Sequence, residues 1–261
     1  MKKQTNRGIC ALCREKDVVL KQSHIIPKLA YKRVRSVPNS RFRALNNIKM
    51  PFQDGEKKYM LCGDCESFFS KYETMFTNKF FDGFIRTNKI RKNIIKEIRF
   101  ENYCLSVNWR VLYDDIYSLQ SFENEYAQNG FIDFETKLSN YLNKTKNGFN
   151  SHSSLFNNYI FKLSELTKDD RIIRLFKPLL YGYCIYNPTY NFYLICTFYK
   201  GLLFVTEFYE KDLIYISSFR DMWKRKYKKR TLIKTIFKKE IITQAKLTAQ
   251  QYYDNTIVKQ K

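Results

Sequence analysis

From Glu66 onward the apolar positions fall at helical intervals: Phe68, Phe69, Tyr72, Met75, Phe76 and Phe80 recur at steps of three and four. That spacing gathers them on one helix face. Glu66, Ser70 and Glu73 share a different, polar stripe of the same helix. Upstream, Val18-Val19-Leu20 and residues 57–61 read as short strands, joined in part by a turn at Gln53-Asp54-Gly55. Residues 28–37 read as a basic helix or an extended arm, and 85–100 as a second basic, partly helical stretch. Residues 104–117, around Trp109-Arg110, suit strand or helix equally. A helix is expected within 130–150, followed by a loop rich in Asn, Lys and Gly that would serve as a boundary or linker. Aromatic and β-branched runs at 181–186, 191–198 and 202–209 are separated by Asn187-Pro188-Thr189 and Lys200-Gly201, which predicts an antiparallel meander. Beyond Arg220 a strongly basic helix carries a narrow apolar face of Leu232, Ile233, Ile236 and Phe237.

The expected fold class is α+β. An N-terminal unit of strands and helix (1–82) precedes a basic, aromatic-rich mixed body (83–261) that ends in the basic helix. With 44% hydrophobic and 17% aromatic residues the chain has ample material for a core. The run 178–199 carries no formal charge, but Gly182, Asn187, Pro188, Thr189 and Asn191 fit a hairpin better than a membrane span, so no transmembrane segment is expected.

Charge changes the picture. The formal net charge is +22, and such self-repulsion calls for a polyanionic partner: nucleic acid first, an anionic membrane surface second. Between Val18 and Gln53 there are eight Lys or Arg and no acid. Without local carboxylates these charges are a solvated loop or a phosphate contact, and Lys28, Lys32, Arg33 and Arg35 are the candidates to track phosphates. The aromatic-rich second half offers a surface for a protein partner.

Seven cysteines include two Cys-x-x-Cys pairs, Cys10/Cys13 and Cys62/Cys65. The odd number and the polar first residues argue against a disulfide framework and for a reducing, cytoplasmic setting. Cys104, Cys184 and Cys196 lie in apolar runs and read as small core residues. Four paired thiolates make the shell of a structural zinc site. Forty-eight residues separate the pairs, more than the roughly 15–20 of a zinc ribbon. The longer loop costs only about 1 kcal/mol in closure, against roughly 10–16 kcal/mol contributed by structural zinc. Knuckle, strands and helix in that order fit a treble-clef or ββα unit. His24, within Ser23-His24-Ile25-Ile26-Pro27, sits between the pairs inside the acid-free basic run. It is either a base presented to a phosphodiester or a histidine packed beneath the knuckle.

Cys10-x-x-Cys13, then Ser23-His24-Ile25-Ile26-Pro27, then Cys62-x-x-Cys65 at a helix start, resembles the zinc-bearing branch of the HNH (ββα-metal) endonucleases over residues 8–80. The resemblance implies a metal-dependent nuclease, with DNA favoured over RNA, in a bacterial defence or mobile-element setting. It places His24 at the general base. Three positions depart from the family's pattern. Ser23 stands where Asp or His usually holds a catalytic Mg²⁺ or Mn²⁺, no Asn lies between Met50 and Cys62, and Glu66 occupies the last ligand position. Asp54 and Glu66 would hold the cation; alternatively Glu66 and Glu73 only charge the helix start. Those departures also admit a nucleic-acid-binding zinc module whose active site has decayed. His152, alone in a polar stretch, receives no role.

Overall fold

The computed structural model describes residues 6–34, 42–43, 51–52, 55–118, 125–177, 179–188, 192–208 and 226–257. Its architecture is mixed α and β with antiparallel sheets.

Strands β1 (Arg7–Gly8), β2 (Val18–His24) and β5 (Lys57–Cys62) form a three-stranded antiparallel sheet in the order β1-β2-β5. Helix α1 (Lys28–Val34) follows β2, so the basic stretch after Pro27 begins as a helix. Strands β3 (Phe42–Arg43) and β4 (Pro51–Phe52) pair separately. The β2–β5 register shifts between Lys21 and Gln22, a bulge that re-aims the end of β2. Beyond it Ser23 is fully buried while His24, the last strand residue, is half-buried.

Helix α2 (Gly63–Phe76) starts directly at the second cysteine pair, with Asp64 and Glu66 in its first turn, where the helix dipole favours negative charge. Its stripe of Phe68, Phe69 and Phe76 is buried as the spacing predicts. The helix does not stop there. A π-helical turn (Thr77–Phe81) leads into α3 (Asp82–Thr87), which ends at Asn88 in the left-handed conformation (φ 52°). The boundary expected at 82/83 therefore falls inside α3.

Helix α4 (Ile98–Ser118) is the centre of the molecule, buried all round from 102 to 112. That burial explains why its sequence suits strand and helix alike: with no solvent face there is no periodicity to read. It packs against α2, against α5 (Glu125–Lys146) and against the larger sheet. Helix α5 begins before Gly130, and that glycine is needed where it stands: a Cβ there would lie 2.1 Å from the Tyr193 ring.

The larger sheet has the order β6-β9-β8-β7. The predicted meander is β7 (Leu180–Asn187), β8 (Phe192–Tyr199) and β9 (Leu202–Phe208); β6 (Phe156–Lys162), absent from the sequence reading, adds to its edge. Helices α4 and α5 cover one face. The other is covered by α6 (Leu163–Leu166), α7 (Asp170–Phe176) and the C-terminal helix α8 (Lys226–Ile257) through Ile233, Phe237 and Ile241. A sheet buried on both faces needs near-continuous apolar strands. This accounts for the uncharged run at 178–199 without a membrane, and among the described residues no helix is long and apolar enough to cross one.

Buried polar groups fix α4 against this sheet. Asn108 Nδ2 donates to Thr206 Oγ1 (2.7 Å), Thr197 Oγ1 donates to Asn108 Oδ1 (2.6 Å), and Thr206 Oγ1 donates to Asn158 Oδ1 (2.7 Å). Of these groups only Asn158 Nδ2 is left without a partner among the described residues, and a buried network bonded this way tolerates one register and penalises others.

Candidate metal cluster and adjoining cavity

The two cysteine pairs, remote in sequence, meet where β5 runs into α2. The first sits in a tight turn: Arg14 N–H donates to Cys10 O (2.9 Å), and Cys10 N–H donates to Glu15 O (2.9 Å). Ala11 N–H reaches across to Met60 O (2.7 Å), which ties the knuckle to β5. All four sulfurs lie within 4.8 Å of one another, the only group of three or more potential metal ligands among the described residues.

Three observations test whether a metal fits. Tetrahedral metal–sulfur bonds of about 2.3 Å put neighbouring sulfurs about 3.8 Å apart, and Cys13 Sγ lies 3.8 Å from Cys62 Sγ. Cys10 and Cys65 also compete for charge: the contact between them holds the Cys10 thiol well below the usual range and pushes Cys65 far up. Four such sulfurs cannot all ionise in so small a volume unless a cation joins them. Finally, Cys62 N–H donates to Cys10 Sγ (3.3 Å) and Lys146 Nζ donates to Cys65 Sγ (3.4 Å), supporting negative sulfur from outside. The cluster is compatible with a zinc site.

The knuckle is clamped to the body. Arg14, left-handed at φ 61°, sends its guanidinium to both oxygens of Glu135 (2.8 and 2.6 Å), and Trp109 Nε1 donates to Glu135 Oε1 (2.9 Å). Burial pushes the Glu135 carboxyl up, and Arg14 opposes that shift. Asn143 Nδ2 adds a bond to Leu12 O (2.7 Å).

Beside the cluster lies a cavity of about 650 Å³. His24 and Lys28 line it from β2 and α1, Glu66, Ser70, Lys71 and Glu73 from α2, and Arg110 from α4. His24 and Glu66 are thus brought to one space. Ser23, buried, donates its hydroxyl to Glu66 Oε2 at 2.6 Å, so it orients the carboxylate instead of reaching the cavity as a ligand. Glu73 pairs with Arg110 at 2.8 Å. The Arg110 side chain is only 2% exposed and lies 4.8 Å from the Phe69 ring centre. Its Nε has no hydrogen-bond partner among the described residues.

Of the other residues singled out from sequence, Lys28 is exposed at the cavity. Lys32 and Arg33 belong to α1, but their side chains, like Asp54 and Arg35 entirely, lie outside the described residues. The sequence reading missed Lys71 and Arg110. Lys71 adjoins the polar stripe of α2, and an arginine inside the apolar run of α4 signals a buried, paired cation. His152 is exposed and hydrogen-bonded to Glu101, away from the cavity lining. Comparison of the chain with protein-family models, with curated proteins and with solved structures finds no match.

Proposed function

We propose that this chain is a zinc-stabilised nuclease of HNH type that hydrolyses phosphodiester bonds, in DNA rather than RNA. One observation carries the reading: His24, at the end of β2, and Glu66, in the first turn of the helix that starts at the second cysteine pair, line the same cavity among Lys28, Lys71 and Arg110. In this reading the four cysteines hold zinc as a structural ion. His24 takes a proton from a water molecule as that water attacks phosphorus; the bond to the leaving oxygen breaks, and that oxygen is protonated. Charge gathering on the phosphate needs neutralising. Lys28 and Lys71 supply part of it, and Glu66, already oriented by Ser23, would hold a Mg²⁺ or Mn²⁺ ion for the rest.

A second reading has an observation of its own. Both carboxylates of the cavity are engaged, Glu66 by Ser23 and Glu73 by Arg110. A site so arranged suits binding of a phosphate backbone without cleavage, as a nucleic-acid-binding zinc module.

Purified protein incubated with plasmid DNA and with RNA, in Mg²⁺ or Mn²⁺, separates the two. Cleavage by the wild type that disappears in His24→Ala is the expected result. Cleavage that persists in His24→Ala removes the proposed mechanism. Salt-sensitive binding with no cleavage under any divalent ion establishes the module instead.

A further inference from the structure

The segment 85–99, between the end of α3 and the start of α4, has no part in the cavity. It carries Arg86, Lys89, Arg91, Lys92, Lys96 and Arg99 against a single acid, Glu97. All six cations are exposed, and none is in an ion pair among the described residues. Glu97 is already matched, 3.5 Å from Lys79. Charge of one sign, left uncompensated on an ordered segment, is a surface built for a polyanion.

The apolar residues of the segment decide which polyanion. Ile94 is buried, and Ile90 and Ile95 pack beside it against the cluster of Phe80, Phe84 and Phe100. The strap therefore spends most of its hydrophobic side chains on the core and turns its cations outward. A membrane-surface element does the reverse, laying an apolar face into the lipid beneath its charges; only Ile85 is exposed here. Single-stranded nucleic acid is gripped by bases stacked on exposed aromatic rings. The segment has no aromatic residue, and the flanking Phe84 and Phe100 are buried. Exposed Asn88 and Asn93, interleaved with the cations, add uncharged hydrogen-bonding groups suited to phosphate oxygens.

We infer that the strap 85–99 is a second, sequence-independent contact for the phosphate backbone of duplex nucleic acid, separate from the His24 cavity. The inference rests on the nucleic-acid reading above for its partner class, but it needs no cleavage. A duplex held there gains affinity through released counterions, so its signature is salt dependence and not base preference.

The test is binding of the full-length zinc-loaded protein to a fluorescently labelled duplex DNA across a salt series. Wild type is compared with K89Q/K92Q/K96Q and with K168Q/R174Q/K177Q, a variant that removes equal charge from exposed positions around α7. Each lost phosphate contact lowers the slope of log affinity against log salt by about 0.9, so the strap variant is expected to lose about 2 to 3. The α7 variant should stay close to wild type, and K89R/K92R/K96R should restore the slope. Equal losses in the two glutamine variants would mean that net charge alone acts, and would overturn the proposal. So would wild type that ignores the duplex at low salt, or strap-dependent binding to phosphatidylserine vesicles without duplex binding. Failure here is distinct from failure of the nuclease reading: the salt slopes of the strap and α7 variants are read from binding alone, whereas the nuclease reading stands or falls on cleavage by wild type and His24→Ala.

Discussion

The hydroxyl of Ser23 donates to Glu66 Oε2 at 2.6 Å, joining the strand that ends in His24 to the helix that begins at the second cysteine pair. Ser23 is thus a buried positioning group for a carboxylate and does not line the cavity as a ligand. Hydrogen bonds to charged groups contribute about 1.5–3 kcal/mol. Ser23→Ala is expected to destabilise the protein by about that amount in urea unfolding. Under the proposed nuclease function it should also lower cleavage roughly tenfold or more through kcat, with duplex affinity unchanged, because Glu66 loses its orientation and no phosphate contact is removed. A loss confined to KM would contradict that role.

The cysteine cluster makes the most decisive forecast. Metal analysis of protein purified without chelator should find about one zinc per chain. Stripping it, or substituting Cys62→Ser, should abolish the near-ultraviolet signal of Trp109, since this ring packs on Phe69 and holds Glu135 with the knuckle's Arg14. A chain purified with no bound zinc would show that the cluster is no metal site, and zinc release that leaves the melting transition unmoved would show that the metal does not hold the fold.

Glu73 and Arg110 form an ion pair that is nearly dry on the arginine side. Breaking such a pair from one side leaves a stranded charge and costs about 3–5 kcal/mol, whereas replacing both partners costs far less. Arg110→Met and Glu73→Gln should each be severe, and the double variant should recover most of the loss. A double-mutant cycle by denaturant titration measures this directly. Additive losses would mean that the two residues act independently.

Asp115 accepts a hydrogen bond from Cys184 N–H at 2.8 Å, and burial pushes its carboxyl up to about 6. The folded carboxyl keeps its proton to higher pH than the unfolded one, so the native state binds more protons between about pH 4 and 6. Stability should therefore fall as pH rises through that window, by up to about 3 kcal/mol, and level off above it. Asp115→Asn, which can still accept from Cys184, should flatten the profile between pH 4 and 6. An unchanged slope in that variant would place the titration elsewhere.

Much of the architecture was legible because it rests on local periodicity. The stripe of α2 shows solvent on one side and core on the other. The meander shows its turns at Asn187-Pro188 and Lys200-Gly201. Helix α4 was opaque for the opposite reason, since burial on every side erases the contrast from which a period is read. Strand β6 escaped as well: its polar Asn157 and Asn158 disguise an edge that pairs fully with β9.

By itself the sequence determined the cysteine pairs, the helix that grows from the second of them, and a lone histidine in an acid-free basic stretch. These depend on residue type and short spacing, which survive without a fold. Only the tertiary structure decided that Ser23 holds Glu66 across 43 positions, that the two cysteine pairs bring their sulfurs within 4.8 Å, and that Arg110 reaches the cavity from α4 to meet Glu73. Those partners come from separate elements, and which elements meet is set by how the apolar faces of α2, α4 and the sheet pack, a global outcome that no local pattern encodes.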